Sequence, residues 1–80
     1  MTLVEIYSKE DCHLCDVAKS VLAKIQLQYP FTLHEITIHE GDEYFENFKE
    51  RIPVIFINKT FAYQHRVPEK DFIVKLQQAG

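Results

Sequence analysis

The sequence is short of several residue types, and each shortage excludes a class of protein. It has only two cysteines and two glycines among 80 residues, so no glycine-rich loop is available to cradle a phosphate. No stretch approaches the roughly 20 apolar residues of a membrane span. Residues 1–8 also lack the basic start and apolar run of a secretory signal. We therefore expect a cytoplasmic protein without a membrane partner.

Charge and length narrow the function further. Nine Lys and Arg against twelve Asp and Glu give a net charge of −3. No basic cluster follows the path that a phosphate backbone would take, so we expect no nucleic-acid partner. A hydrophobic fraction of 46% is typical of a globular chain. We expect one domain over residues 1–80, in which a substrate meets a surface groove because so short a chain cannot enclose a deep site.

The two cysteines form a C-x-x-C motif, Cys12-His13-Leu14-Cys15. A structural zinc site usually needs four Cys or His ligands, and the other histidines form no second compact pair at metal spacing. A disulfide that encloses two residues removes little entropy from the unfolded chain, so a purely structural bridge is disfavoured. The motif therefore indicates redox chemistry.

The hydrophobic pattern predicts the element order β-α-β-α-β-β-α. The predicted strands cover residues 3–7, 31–38, 52–57 and 60–63, and the predicted helices cover residues 12–28, 41–51 and those from Pro68 onward, with a frayed end over 77–80. We expect Asp11 to be the N-cap of the first helix and Asn58-Lys59 to form a hairpin turn. We also expect the first two strands to be parallel and Phe61 to face the core.

Two segments carry a resemblance to a known family. The segment Lys-Glu-Asp-Cys-His-Leu-Cys follows a strand and opens a helix, and Ile52-Pro53-Val54 opens a later strand that leads through a hairpin to the last helix. This arrangement resembles the thioredoxin fold in its short glutaredoxin form, over nearly the whole chain. The resemblance implies an α/β, thioredoxin-like fold, with a four-stranded mixed sheet flanked by helices.

The chemistry of the motif assigns separate roles to the two cysteines. A helix N-terminus stabilises negative charge, so Cys12 is placed to be the nucleophilic thiolate, and we expect its pKa to lie below the free-thiol value. Cys15 is placed to resolve the mixed disulfide formed on Cys12. The resemblance implies the same two roles for Cys12 and Cys15.

The resemblance also implies a substrate-binding set. A cis proline at Pro53 would leave the backbone of Ile52 free to pair with an extended substrate, and Lys9 matches a basic residue often found before the motif. Apart from the resemblance, the residues themselves add two expectations. His13 could add partial positive charge beside Cys12, opposed by Glu10, Asp11 and Asp16, and Arg66 could pair with a glutathione carboxylate.

The sequence departs from ordinary glutaredoxins in the segment Phe61–Arg66, which lacks their Gly-Gly pair. The expected partners are protein disulfides, or glutathione as a co-substrate, with no bound organic cofactor and no metal; we expect a monomer with a role in cell redox homeostasis. One alternative is a metal or iron-sulfur carrier ligated by the Cys12 and Cys15 thiols. Another is a redox-inactive module that binds a peptide at the Ile52-Pro53 edge. The sequence leaves the direction of electron flow open.

Overall fold

The computed structural model describes residues 1–79, which form a mixed sheet with helices packed against it. The elements are β1 (Leu3–Ser8), α1 (His13–Gln26), β2 (Thr32–Thr37), α2 (Phe45–Phe48), β3 (Val54–Ile57), β4 (Thr60–Gln64) and α3 (Glu69–Ala79). This is the predicted element order. The end of α3 differs from the prediction, because residues 77–79 are helical rather than frayed; Gly80 lies outside the described residues.

The strand order in the sheet is β2-β1-β3-β4. β1 and β2 are parallel, as predicted, while β1 pairs with β3 and β3 pairs with β4 in antiparallel fashion. The parallel pair needs a crossover connection, and α1 supplies it. β1 and β3 are therefore the central strands. Because they are antiparallel, the connection from β1 to α1 lies beside the connection from α2 to β3.

The main core lies between the sheet and the helices α1 and α3. Its buried members come from β1, β3, β4, both helices and two connecting segments: Val4, Ile6, Ala18, Leu22, Ile25, Phe31, Ile55, Ile57, Tyr63, Val67, Phe72 and Leu76. Tyr63 donates a hydrogen bond from its phenol to Asp71 Oδ2 at 2.5 Å. In α3, Phe72 and Leu76 are buried in this core, and Ile73 is partly buried against it.

The helix predicted over residues 41–51 is wrong in extent, because only the single turn of α2 is helical. Of the residues between 41 and 50, only Phe45 and Phe48 are even partly buried. Two apolar anchors give an eleven-residue helix too little packing to hold it together. The chain instead enters α2 through a turn in which the Asp42 carboxylate accepts a hydrogen bond from the His39 N–H at 2.8 Å, with Gly41 at a φ of 98°.

The hairpin between β3 and β4 forms at Asn58-Lys59, as predicted. Both residues have positive φ, 48° and 69°, which is the backbone of a type I′ turn. A lysine is unfavourable in this conformation. Lys59 gains a compensating ion pair, since its Nζ lies 3.1 Å from the carboxylate of the buried Glu5.

Phe61 does not face the core. The pairing of β3 with β4 shifts between Ile55 and Phe56, so that Tyr63 lies opposite Ile55 while Phe61 lies opposite Phe56. This shift puts Tyr63 among the core residues and leaves Phe61 45% exposed on the other face of the sheet. The guanidinium of Arg51 lies over the Phe61 ring at 5.3 Å.

Candidate active site

Cys12 and Cys15 are joined by a disulfide at the start of α1. Their Cα atoms are 5.2 Å apart, because only two residues separate them around the first turn of the helix. The two cysteines differ in exposure: Cys15 is fully buried, and Cys12 is partly exposed. An incoming thiol or disulfide can therefore reach the sulfur of Cys12 but not that of Cys15.

Cys12 is the N-cap of α1, so the prediction of Asp11 in that position is wrong. Asp11 adopts a φ of 53° in the preceding turn, whereas Cys12 is extended, with φ −114° and ψ 105°. The carbonyl of Cys12 accepts the first helical hydrogen bond from the N–H of Asp16 at 3.1 Å. Its Sγ also accepts a hydrogen bond from the Cys15 N–H at 3.2 Å. The sulfur thus takes the place of the side-chain oxygen that usually accepts the capping hydrogen bond, and it lies at the positive end of the helix dipole.

A second, smaller cluster surrounds the disulfide. Cys15 packs in it with Ile38, Ile52 and Val54, and several partly buried side chains lie against these four: Tyr7, Cys12, Phe45, Phe48 and Phe56. Burial, followed by the charge of Glu5, raises the pKa of Tyr7. The phenol is therefore uncharged at neutral pH, and the surroundings of the buried sulfur are apolar.

The Ile52–Pro53 peptide bond is cis, and both residues are buried. The Ile52 N–H donates to the carbonyl of Phe48 at 3.0 Å, and the carbonyl of Pro53 accepts a hydrogen bond from the His65 N–H at 2.8 Å. These two bonds fix the start of β3 to α2 on one side and to the segment after β4 on the other. Because the Ile52 N–H is bonded within the protein, the expectation that the Ile52 backbone is free for a substrate is wrong for this N–H. Ile52 belongs to the same cluster as Cys15.

The three charged residues expected in the substrate-binding set occupy different positions around the motif. Lys9 is exposed in the connection between β1 and α1, and His13 is exposed as the first residue of α1. Arg66 is exposed directly after His65, the residue bonded to Pro53. The fold therefore brings Arg66 to the active-site end of the sheet from a distant part of the sequence, and none of the three forms an ion pair within residues 1–79.

The structure also contains a groove that the sequence analysis did not identify. It lies between α1 and the connection from β4 to α3, and we call it the α1 groove; its cavity is about 260 Å³. The lining residues are Leu14, Val17, Ala18 and Val21 of α1 with His65, Arg66 and Val67 of the connection. Leu14 and Val17 are each 45% exposed. The signal that could have revealed them is the width of the apolar face of α1, where Leu14, Val17 and Val21 form a stripe beside the buried Ala18, Leu22 and Ile25.

Within residues 1–79, no group of three or more His, Cys, Asp or Glu side chains is arranged to hold a metal ion. The helices in that range are too short or too polar to cross a membrane.

Known proteins that resemble this chain are described as glutaredoxin-like. The model of the glutaredoxin-like domain family (DUF836) matches residues 3–77. A glutaredoxin-like protein of Dictyostelium discoideum is 28% identical over 80 residues, which cover 92% of this chain and 74% of that protein. The family expected from the C-x-x-C segment and the Ile52-Pro53-Val54 strand is therefore confirmed.

Solved structures show the same fold. A protein of Nitrosomonas europaea, solved by solution NMR, aligns with a TM-score of 0.79 at 21% identity, covering 92% of this chain and 89% of that one. A protein of X. campestris, solved by X-ray crystallography, aligns with a TM-score of 0.78 at 21% identity, covering 96% and 99%. The expected thioredoxin-like α/β fold, a mixed four-stranded sheet flanked by helices, is confirmed.

Proposed function

The chain belongs to the glutaredoxin-like domain family, and from that premise we propose that it is a thiol-disulfide oxidoreductase that uses the Cys12–Cys15 pair. The observation that carries the proposal is the asymmetry of this pair. One sulfur is partly exposed and caps a helix, while the other is fully buried one helical turn away. Disulfide exchange needs this combination of an accessible nucleophile and a nearby resolving thiol.

The reaction begins with the pair reduced to two thiols by an external thiol reductant. The Cys12 thiolate attacks one sulfur of a substrate disulfide, which forms a mixed disulfide on Cys12 and releases one substrate thiolate that takes up a proton. Cys15 then loses its proton and attacks Cys12 Sγ, which forms the Cys12–Cys15 bond and releases the second substrate thiolate. Two electrons pass from the protein to the substrate, and the same steps in reverse oxidise a substrate dithiol.

The N-cap geometry supports the assignment of Cys12 as the nucleophile. In the reduced protein its sulfur carries negative charge next to the N–H groups at the start of α1, where both the hydrogen bond from Cys15 and the helix dipole favour the thiolate. Lys9 and His13 lie three residues before and one residue after it in the chain. Lys9 would add positive charge on the side from which a substrate approaches.

The cis Ile52–Pro53 segment and Arg66 are the proposed substrate contacts beyond the cysteines. The start of β3 is fixed by hydrogen bonds on both sides and shares a cluster with Cys15, so an extended substrate bound along Ile52 would lie beside the disulfide. Arg66 would then be available to a substrate carboxylate. Protein disulfides and glutathione mixed disulfides both satisfy these contacts, and the protein is proposed to act on them without a bound organic cofactor.

Reduction of a small mixed disulfide by glutathione, coupled to glutathione reductase, tests the proposal. The assay compares the wild-type protein with Cys12→Ser, Cys15→Ser and the double variant, which sets the uncatalysed baseline. We expect Cys12→Ser to fall to that baseline, because the nucleophile is lost. Cys15→Ser is expected to keep turnover on this substrate, since glutathione can resolve the mixed disulfide in its place.

A second arm separates the choice of reductant from the chemistry itself. If no variant turns over with glutathione, the wild-type disulfide is reduced with dithiothreitol and presented with a protein disulfide. Transfer of two electrons to that substrate would support an oxidoreductase with a dedicated protein partner. A Cys12–Cys15 bond that cannot be reduced and formed again would refute the proposal.

A further inference from the structure

We propose that the α1 groove selects protein disulfides in which an apolar side chain and an acidic group lie next to the reactive cysteine. The inference rests on the proposed redox function, since it concerns the substrate of the Cys12–Cys15 pair. It goes beyond that function by naming the substrate class and the residues that recognise it.

The first argument is position. The groove begins at Leu14, which lies between the two cysteines, and follows α1 through Val17 to Val21. When a substrate cysteine is bonded to Cys12, its neighbours in an extended segment lie about 3.3–3.6 Å further along for each residue. A side chain one or two residues from the substrate cysteine can therefore reach the groove while the mixed disulfide exists.

The second argument is the lining. Leu14 and Val17 expose 45% of their surface, so the groove presents aliphatic side chains where most of a helix surface would be polar. Its cavity of about 260 Å³ is smaller than the roughly 300–1,000 Å³ of typical small-molecule sites. One apolar side chain of a peptide fits this space better than glutathione does, because glutathione carries two carboxylates and an ammonium but no large apolar group.

The third argument is charge. The chain has a net charge of −3, yet no acidic residue lines the groove and Arg66 does. Arg66 forms no ion pair with any described residue. Arg66 therefore lies on one wall of a groove lined mainly by aliphatic side chains, and it is complementary to an acidic group beside the apolar side chain.

A peptide series tests this proposal directly. The series consists of four short blocked peptides with a central cysteine. Each carries either leucine or glycine beside the cysteine, combined with either glutamate or glutamine. The cysteine is activated as its mixed disulfide with thionitrobenzoate. The protein is reduced with dithiothreitol and freed of it, and the release of the yellow thionitrobenzoate anion gives the rate of attack. Each rate is divided by that of β-mercaptoethanol to remove differences in intrinsic reactivity.

We expect the leucine peptides to react about fivefold faster than the glycine peptides. An enclosed pocket discriminates about 10–200-fold for a single methylene, and the open groove covers only part of the leucine side chain. Val17→Ser and the isosteric Val17→Thr should remove this preference. Val74→Ser is the matched control, because Val74 is a similarly exposed valine, at 50%, on another helix. Arg66→Gln should remove only the preference for glutamate. The control Lys70→Gln, at an exposed position on α3, should leave that preference in place.

The outcomes separate the two proposals. Three results would overturn the groove as a selector while leaving the redox function intact. They are equal rates for leucine and glycine peptides, a preference that survives both Val17 variants, or a faster reaction of the glutathione–thionitrobenzoate mixed disulfide than of the leucine peptide. If the reduced protein attacks no peptide faster than a free thiol does, the redox function itself fails.

Discussion

Replacing Cys12 with serine should leave the protein more stable than replacing it with alanine, even though both changes abolish the disulfide. The reason is the second task of Cys12, which is to cap α1 through the bond that its Sγ accepts from the Cys15 N–H at 3.2 Å. A serine hydroxyl can accept the same bond, whereas alanine leaves the N–H without a partner. The free thiol of Cys15 is present in both variants and cancels in the comparison.

The structure sets the expected size of this difference. Losing a serine-type N-cap costs about 0.5–2 kcal/mol. The N–H in question belongs to Cys15, which is fully buried, so water replaces the lost bond poorly and the upper half of that range, about 1–2 kcal/mol, applies. For a chain of this size, each 1 kcal/mol shifts Tm by about 4–8 °C. Calorimetry or urea unfolding under reducing conditions can resolve such a difference.

A matched control uses the same pair of residues at another position of the same helix. Ser20 is exposed in the interior of α1, where alanine has the higher helix propensity, so Ser20→Ala should leave stability unchanged or raise it slightly. The order of stability should therefore reverse between positions 12 and 20. Equal Tm values for Cys12→Ser and Cys12→Ala, or a more stable alanine variant, would refute the role of the sulfur as the cap.

Two other predictions concern stability. Burial, followed by the hydrogen bond to Asp71, raises the pKa of Tyr63. The stabilisation by the neutral phenol is therefore complete below the unfolded pKa of about 10 and is lost as the pH rises from there towards the folded pKa. Urea unfolding measured from about pH 8 upward should show a steeper loss of stability for wild type than for Tyr63→Phe, and parallel curves would contradict this. The Cys12–Cys15 bond closes only a four-residue loop, so its reduction should lower the free energy of unfolding by no more than about 2 kcal/mol. A loss several times larger, measured with and without dithiothreitol, would mean that the disulfide is structural.

The sequence predicts the elements best where packing on the core decides them. The residues of α1 and α3 that repeat at helical spacing do form helices, and the run Val54–Ile57 forms a strand. The segment 41–51 fails because its aromatic residues suggest a helix, while its actual contacts allow one turn only. Local propensity is a weak guide wherever a segment buries few side chains.

The candidate site was predictable in its chemistry and less so in its shape. The C-x-x-C spacing is a local pattern, so it gives the disulfide and the helix start directly. Whether Leu14 and Val17 are covered depends on how closely the connection after β4 approaches α1, which is set by long-range packing of Val67 and Phe72 in the core. The position of Phe61 depends in the same way on a register shift between β3 and β4 that no residue pattern encodes.

In the proposed redox chemistry, the N-cap of α1 differs between the oxidised and the reduced protein. With an aspartate as the cap, the first turn of α1 would be held in the same way whether the cysteines were oxidised or reduced. With Cys12 as the cap, the acceptor changes from a disulfide sulfur to a thiolate, and a charged acceptor makes a hydrogen bond about twice as strong. Reduction therefore strengthens the cap while it opens the four-residue loop, and the two effects oppose each other. The reduction potential follows the relative stability of the two forms. The stability of Cys12→Ser therefore reports on a contact that also contributes to the reduction potential of this pair.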